Sequence, residues 1–147
     1  MKDTEMTYGY LKCMYSEVFP IRIYLLVGNF KRCKSKLISA IKDKNQKAVY
    51  KKHICSPKAD EEGYNVLDVI WIRNTRLEYL VHELTHVLFG EFKRLNLPLT
   101  SSSDETFAYT LMYFFEMSAK FLKEVEKKIK KQNNKKRKSR NNKVKYD

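Results

Sequence analysis

The sequence predicts an α+β domain, a short β-sheet packed on two long helices, followed by a disordered basic tail. Three observations carry this. Residues 21–27 (Ile-Arg-Ile-Tyr-Leu-Leu-Val) are an aliphatic, β-branched run closed by Gly28-Asn29, the pattern of a core strand. Residues 76–95 and 104–129 carry apolar side chains at helical spacing. Beyond about Lys131 the chain is Asn, Lys, Arg and Ser with almost no apolar residue, so it cannot bury enough surface to offset the entropy of ordering it. The reading therefore divides the chain into a domain over 1–131 and a tail over 132–147.

At 147 residues the chain is long enough for one domain with a real core. Its net charge of +13 is unevenly placed: residues 123–147 hold 12 Lys/Arg against 3 Asp/Glu, leaving only +4 for the rest. The high pI belongs mostly to the tail. Cys13, Cys33 and Cys55 are odd in number and lack a Cys-x-x-Cys pair, so no disulfide framework is expected and a reducing compartment fits. Met1-Lys2-Asp3-Thr4-Glu5 is too polar and acidic for a signal peptide. The longest apolar run, 21–30, contains Arg22 and is too short to span a bilayer. The expectation is a cytoplasmic protein with no membrane partner.

In chain order, residues 1–19 are a weakly patterned lead-in. Tyr8, Leu11, Met14, Tyr15 and Val18 have roughly helical spacing, which predicts a short covering helix stopped by Pro20. After the strand at 21–27, residues 31–44 place Cys33, Leu37, Ile38 and Ile41 among lysines as an amphipathic helix. Ala48-Val49-Tyr50 reads as a second strand, and 56–65 as a polar stretch broken by Pro57 and Gly63. Residues 66–72 are the third strand. Asn74 or Thr75 then caps a helix running from about Arg76 to Leu95, with Thr75 and Glu78 spaced for a capping box. Leu80, Leu84, Val87 and Leu88 form its buried face, and Asn96-Leu97-Pro98 stops it. Asp104 or a preceding Ser caps the last helix, with acids at its positive end and an apolar stripe from Phe107 through Phe114, Ser118 and Leu122 to Ile129.

The chemistry lies in Val81-His82-Glu83-Leu84-Thr85-His86-Val87. On a helix, His82 and His86 are one turn apart on one face, about 5–6 Å between Cβ atoms, so both imidazoles can reach one ion. Glu83 projects from the adjacent part of the surface, where it can reach water on that ion without binding it. This is the arrangement of a zinc peptidase, with Zn2+ as cofactor and a peptide or protein as substrate. Two histidines are not enough, because a catalytic zinc site takes three protein ligands and one open position. The short connection 96–103 predicts that the last two helices are antiparallel neighbours, and the start of the second offers Asp104 and Glu105.

Here the residues resemble a known group. Eighteen residues separate His86 from Glu105, and the following Thr106-Phe107-Ala108-Tyr109 gives a Glu-x-x-Ala-Tyr step. The pattern is similar to that of the gluzincins, which include thermolysin and the large zinc aminopeptidases, and the spacing matches the aminopeptidase branch. The Glu-x-x-Ala step also resembles the ImmA/IrrE peptidases, with Tyr109 where Asn usually follows the Ala. The overall likeness is greatest to small bacteriophage-encoded metallopeptidases, which would put the protein in a host-cell cytoplasm. The resemblance covers 78–113 well and the preceding strands in outline, and it implies a minimal zincin-like domain. It implies His82, His86 and Glu105 as metal ligands and Glu83 as general base. Tyr109 or Tyr113, one and two turns on from Glu105, could hydrogen-bond the oxyanion or a ligand, although both read more readily as packing residues.

Other features have plainer readings. His53 and Cys55 have no matching second pair, so an ordinary strand or loop is expected there, and Cys13 and Cys33 read as small core residues. The tail could engage nucleic acid or an acidic partner without sequence preference, since phosphate contacts need only charge. It has no interleaved aromatics for base stacking. A second function class follows: a catalytically idle, zinc-containing binding protein that uses this tail.

Overall fold

A computed structural model describes residues 8–101 and 103–143 and the side chains as far as Ser139. Four strands and four helices alternate as β1 (Gly9–Ser16), β2 (Ile21–Gly28), α1 (Phe30–Ala40), α2 (Lys44–His53), β3 (Gly63–Val66), β4 (Val69–Ile72), α3 (Leu77–Arg94) and α4 (Asp104–Lys143). The sheet is mixed, in the order β1-β2-β4-β3. β1 is antiparallel to β2, β2 parallel to β4, and β3 antiparallel to β4. Fold class and the sheet-plus-two-long-helices core are as expected, and none of the described helices is long and apolar enough to cross a membrane.

Alternation along the central strands splits the core in two. Ile23, Leu25 and Val27 of β2, with Ile70 and Ile72 of β4, face Leu80, Leu84, Val87 and Leu88 of α3 and Phe114, Leu122 and Val125 of α4. Tyr24, Leu26, Val69 and Trp71 face the opposite way, onto Cys33 and Leu37 of α1 and Tyr50 of α2. Being covered on both faces is what makes β2 a continuous apolar run instead of an alternating one. Trp71 is buried with its indole N–H donating to the Gly28 carbonyl at 2.9 Å. Gly28 itself takes φ 103°, a conformation only glycine adopts freely, where the chain leaves β2 for α1.

Four local expectations are corrected. The lead-in is a strand over Gly9–Ser16, not a covering helix; residues 1–7 lie outside the described residues. At the sheet edge only Tyr10, Met14 and Ser16 of its inward face are buried while Lys12 stays exposed, so neither a period of two nor of 3.6 was clean. Ala48-Val49-Tyr50 sits inside helix α2, started by Asp43, whose carboxylate accepts from Gln46 N at 2.7 Å. A three-residue apolar run carries too little period to outweigh a cap. The third predicted strand is the end of β3, a two-residue turn and β4, and the polar stretch before it contributes the rest of β3. Its turn bends through Leu67 at φ 53°. Finally, α3 has Arg76 at its N-cap with no side-chain cap; Asn74 Oδ1 accepts from Arg76 N at 3.0 Å, and Glu78 pairs with Arg76 instead of closing a box.

Asp68, the other turn residue, accepts a hydrogen bond from the Tyr50 hydroxyl, and its carboxyl is pushed above the usual aspartate range by burial, which outweighs that bond. A carboxyl whose folded pKa exceeds its unfolded one contributes stability that is fully present below about 3.9 and is lost as pH rises through the folded value. Asp68→Asn is expected to flatten that decline. The check is a series of urea midpoints over the mildly acidic range, where the two proteins should diverge as pH increases.

Gly9 sets how closely α1 lies on β1. A Cβ there would stand 2.6 Å from Cys33 N and 2.9 Å from Arg32 Cβ, a collision with backbone that no rotamer relieves. Gly9→Ala should lift α1 and cost about 1–3 kcal/mol, read as a lower denaturation midpoint. Cys33 is buried against this contact, its Sγ donating to the Val27 and Tyr10 carbonyls, and burial pushes its thiol up to about 11. Cys13, expected in the core, is exposed on the edge strand.

The tail also differs. α4 continues to Lys143, through most of the stretch expected to be disordered, and residues 144–147 lie outside the described residues. The compositional argument holds for its side chains: from Lys130 to Ser139 only Gln132 is better than exposed. What extends the helix is propagation from a packed segment, which costs far less than nucleation, through a stretch in which Lys, Arg and Gln outnumber the poorer helix formers Asn and Ser.

Candidate metal centre

The motif lies in the middle of α3, the most apolar of the short-to-medium helices by composition. With Leu80, Leu84, Val87, Leu88 and Phe92 turned into the core, His82 and His86 fall on the opposite side and are exposed. Their rings stand edge to face with centroids 4.7 Å apart. Two exposed imidazoles one turn apart have the donor type and spacing that chelation of a divalent cation requires.

Glu83 lies 100° further round the helix, on the flank between the exposed and the buried faces. It is 8% exposed, and edge strand β3 closes over it. Asn65 Nδ2 donates to Glu83 Oε2 at 2.5 Å. Gly63 leaves the carboxylate its room, since a Cβ there would stand 3.3 Å from Oε1 and 3.2 Å from Cγ. One oxygen is thus anchored on β3 and the other lies beside a glycine. The sequence reading missed both partners. It took Gly63 for a loop breaker and Asn65 for part of a polar stretch, and no local period reveals a contact between residues 18 apart.

Glu105 does not join the pair. Phe107 docks the head of α4 on α3, stacked on Phe89 with centroids 4.8 Å apart and edge-on to Phe92 at 5.1 Å. Glu105, two residues earlier, is therefore about 200° round α4 from the face that meets α3. It is exposed, as is Asp104. Among the described residues no group of three His, Cys, Asp or Glu side chains is placed to hold a metal. The histidines fit a divalent ion by donor type and placement, whereas the expected third protein donor is not beside them.

The tyrosines lie elsewhere. Tyr109 is 69% exposed and lines a cleft of about 550 Å³ with Ser16, Val18, Phe19 and Thr110, between the β1–β2 turn and α4. The Tyr113 hydroxyl donates to the Tyr15 carbonyl at 3.1 Å, tying α4 to β1. His53 ends α2 and Cys55 follows it, both exposed. No known protein family, curated protein or solved structure matches the chain.

Proposed function

We propose that the protein is a zinc-dependent peptidase built on a minimal zincin-like domain, with His82 and His86 holding the ion and Glu83 as the general base. The observation that supports this is the exposed imidazole pair with a shielded carboxylate on the neighbouring flank of the same helix. Bound zinc supplies a water whose pKa falls to about 7 and polarises a carbonyl oxygen. Glu83 takes the proton of the attacking water and returns it to the leaving amine. Asn65 holds Oε2 and thereby fixes the carboxylate plane, leaving Oε1 as the atom on which the proton is carried. Edge strand β3, lying over Glu83, bounds one side of the site.

The proposed ligand set keeps Glu105 as third donor, which requires the exposed first turn of α4 to rotate from its present orientation. Metal analysis tests the set. Purified protein should carry one zinc per chain, lose it in His82→Ala and His86→Ala, and hold it more weakly in Glu105→Ala. Absence of stoichiometric zinc in the wild type overturns the proposal.

The missing third donor favours a second reading, an idle zinc-containing binding protein. Zinc retained undiminished in Glu105→Ala, together with no cleavage across a peptide library, would select it.

A further inference from the structure

The side of the molecule away from the motif carries a second feature. β1 is a sheet edge, and α1 and α4 lie on opposite faces of the sheet, so their flanks meet across that edge. Between them is a cleft of about 590 Å³ lined by Tyr8, Tyr10, Lys31, Arg32, Lys36 and Gln132, with the bare backbone of Gly9 in its floor. Among the described residues the lining holds three cations, Lys31, Arg32 and Lys36, and no carboxylate.

The cations come from both helices and converge on two rings. Lys36 of α1 and Lys128 of α4 both place their ammonium over Tyr10, 5.8 and 6.0 Å from the ring centroid, and Lys136 stands over Tyr8 at 5.4 Å. The Tyr10 hydroxyl donates to Gln132 Oε1 at 3.3 Å, pinning α4 to the edge. Lys31, Arg32, Lys36, Lys128 and Lys136 are exposed, and none forms an ion pair among the described residues. Like charges gathered without a counter-charge repel one another, and a polyanion laid in the cleft removes that cost while releasing its own counterions.

We propose that the α1–β1–α4 cleft is a nucleic-acid backbone site, in which α1 contributes as much as the basic end of α4. Two observations favour nucleic acid over an anionic membrane or an acidic protein. The cations form a track along α4 from Lys128 to Lys136, about 12 Å at 1.5 Å per residue, which matches several successive phosphates better than a single acidic side chain. Among the described residues the cleft also has no exposed apolar rim to enter a bilayer: the exposed Tyr15, Val18, Tyr109 and Met112 lie outside its lining. Because lysines cap both tyrosine rings, the bases are not stacked and the site reads no sequence.

The test is fluorescence anisotropy of a labelled 20-base-pair DNA duplex with the full chain, titrated at several salt concentrations. The expected result is binding that weakens steeply with salt. The triple variant Lys31→Gln, Arg32→Gln, Lys36→Gln should lower the slope of log K against log salt by about 3 and weaken binding at least about 10-fold at 0.1 M salt. A scrambled duplex should bind equally. The substitutions are at exposed positions, and circular dichroism confirms that the variant is folded. An unchanged slope in the α1 variant would overturn the cleft and leave the tail alone as the binder. Binding to phosphatidylserine vesicles with none to the duplex would overturn the choice of ligand. The metal pair is not involved, so His86→Ala should bind the duplex as the wild type does.

Discussion

Glu83→Gln should lower peptide hydrolysis by about 10²- to 10⁴-fold while leaving bound zinc unchanged, the range over which a positioned base contributes. The amide has nearly the shape of the carboxylate, so it fills the space beside Gly63 and can still meet Asn65, either through its oxygen or after a flip. What it cannot do is accept a proton from water. Two measurements on one preparation, metal content and turnover, therefore separate chemistry from folding. Loss of zinc along with activity would point to a structural role for Glu83 on the flank of α3. Unchanged activity would remove Glu83 from the reaction. Asn65→Ala is a graded companion, since it frees Oε2 and should lower turnover by less than Glu83→Gln does, with little change in metal content.

The second large effect concerns the element that carries Glu105. Phe114→Ala should destabilise the protein by about 3–5 kcal/mol, a large part of the roughly 5–15 kcal/mol that a domain of this kind possesses. Phe114 is fully buried on α4 within the same core as Leu84 of α3 and Ile70 of β4. Removing the ring leaves a cavity that neither a helix packed along its length nor a sheet can collapse to fill. Chemical denaturation gives the value. A loss below about 1 kcal/mol would mean that α4 is held mainly by Phe107 and its two aromatic partners on α3.

Where one element supplies its own signal, the sequence was readable. β2 is buried on both faces and so needed no period; α3 and the packed part of α4 repeat their apolar residues often enough for a helical stripe to stand out. Edges and short segments were not readable. β1 is covered on one face by helices and bare on much of the other, and β3 spans four half-buried residues, so neither imposes a period. The site divides in the same way. His82 and His86 follow from spacing within one helix. The position of Glu105 depends on which side chain of α4 docks on α3, and Phe107 decides that. Asn65 and Gly63 reach Glu83 across the gap between β3 and α3, which only the fold creates.

Past Ile129, α4 is a rod of one sign of charge, tied to the sheet edge through the Tyr10–Gln132 hydrogen bond and Lys136 over Tyr8. Lys127 and Lys131, and then Lys131 and Lys135, are like charges four apart on adjacent turns, each pair opposing the helix by a few tenths of a kcal/mol. The helicity of this stretch is accordingly a function of its ionic surroundings: raising the salt, or any bound counter-charge, should firm its turns, and dilution should loosen them.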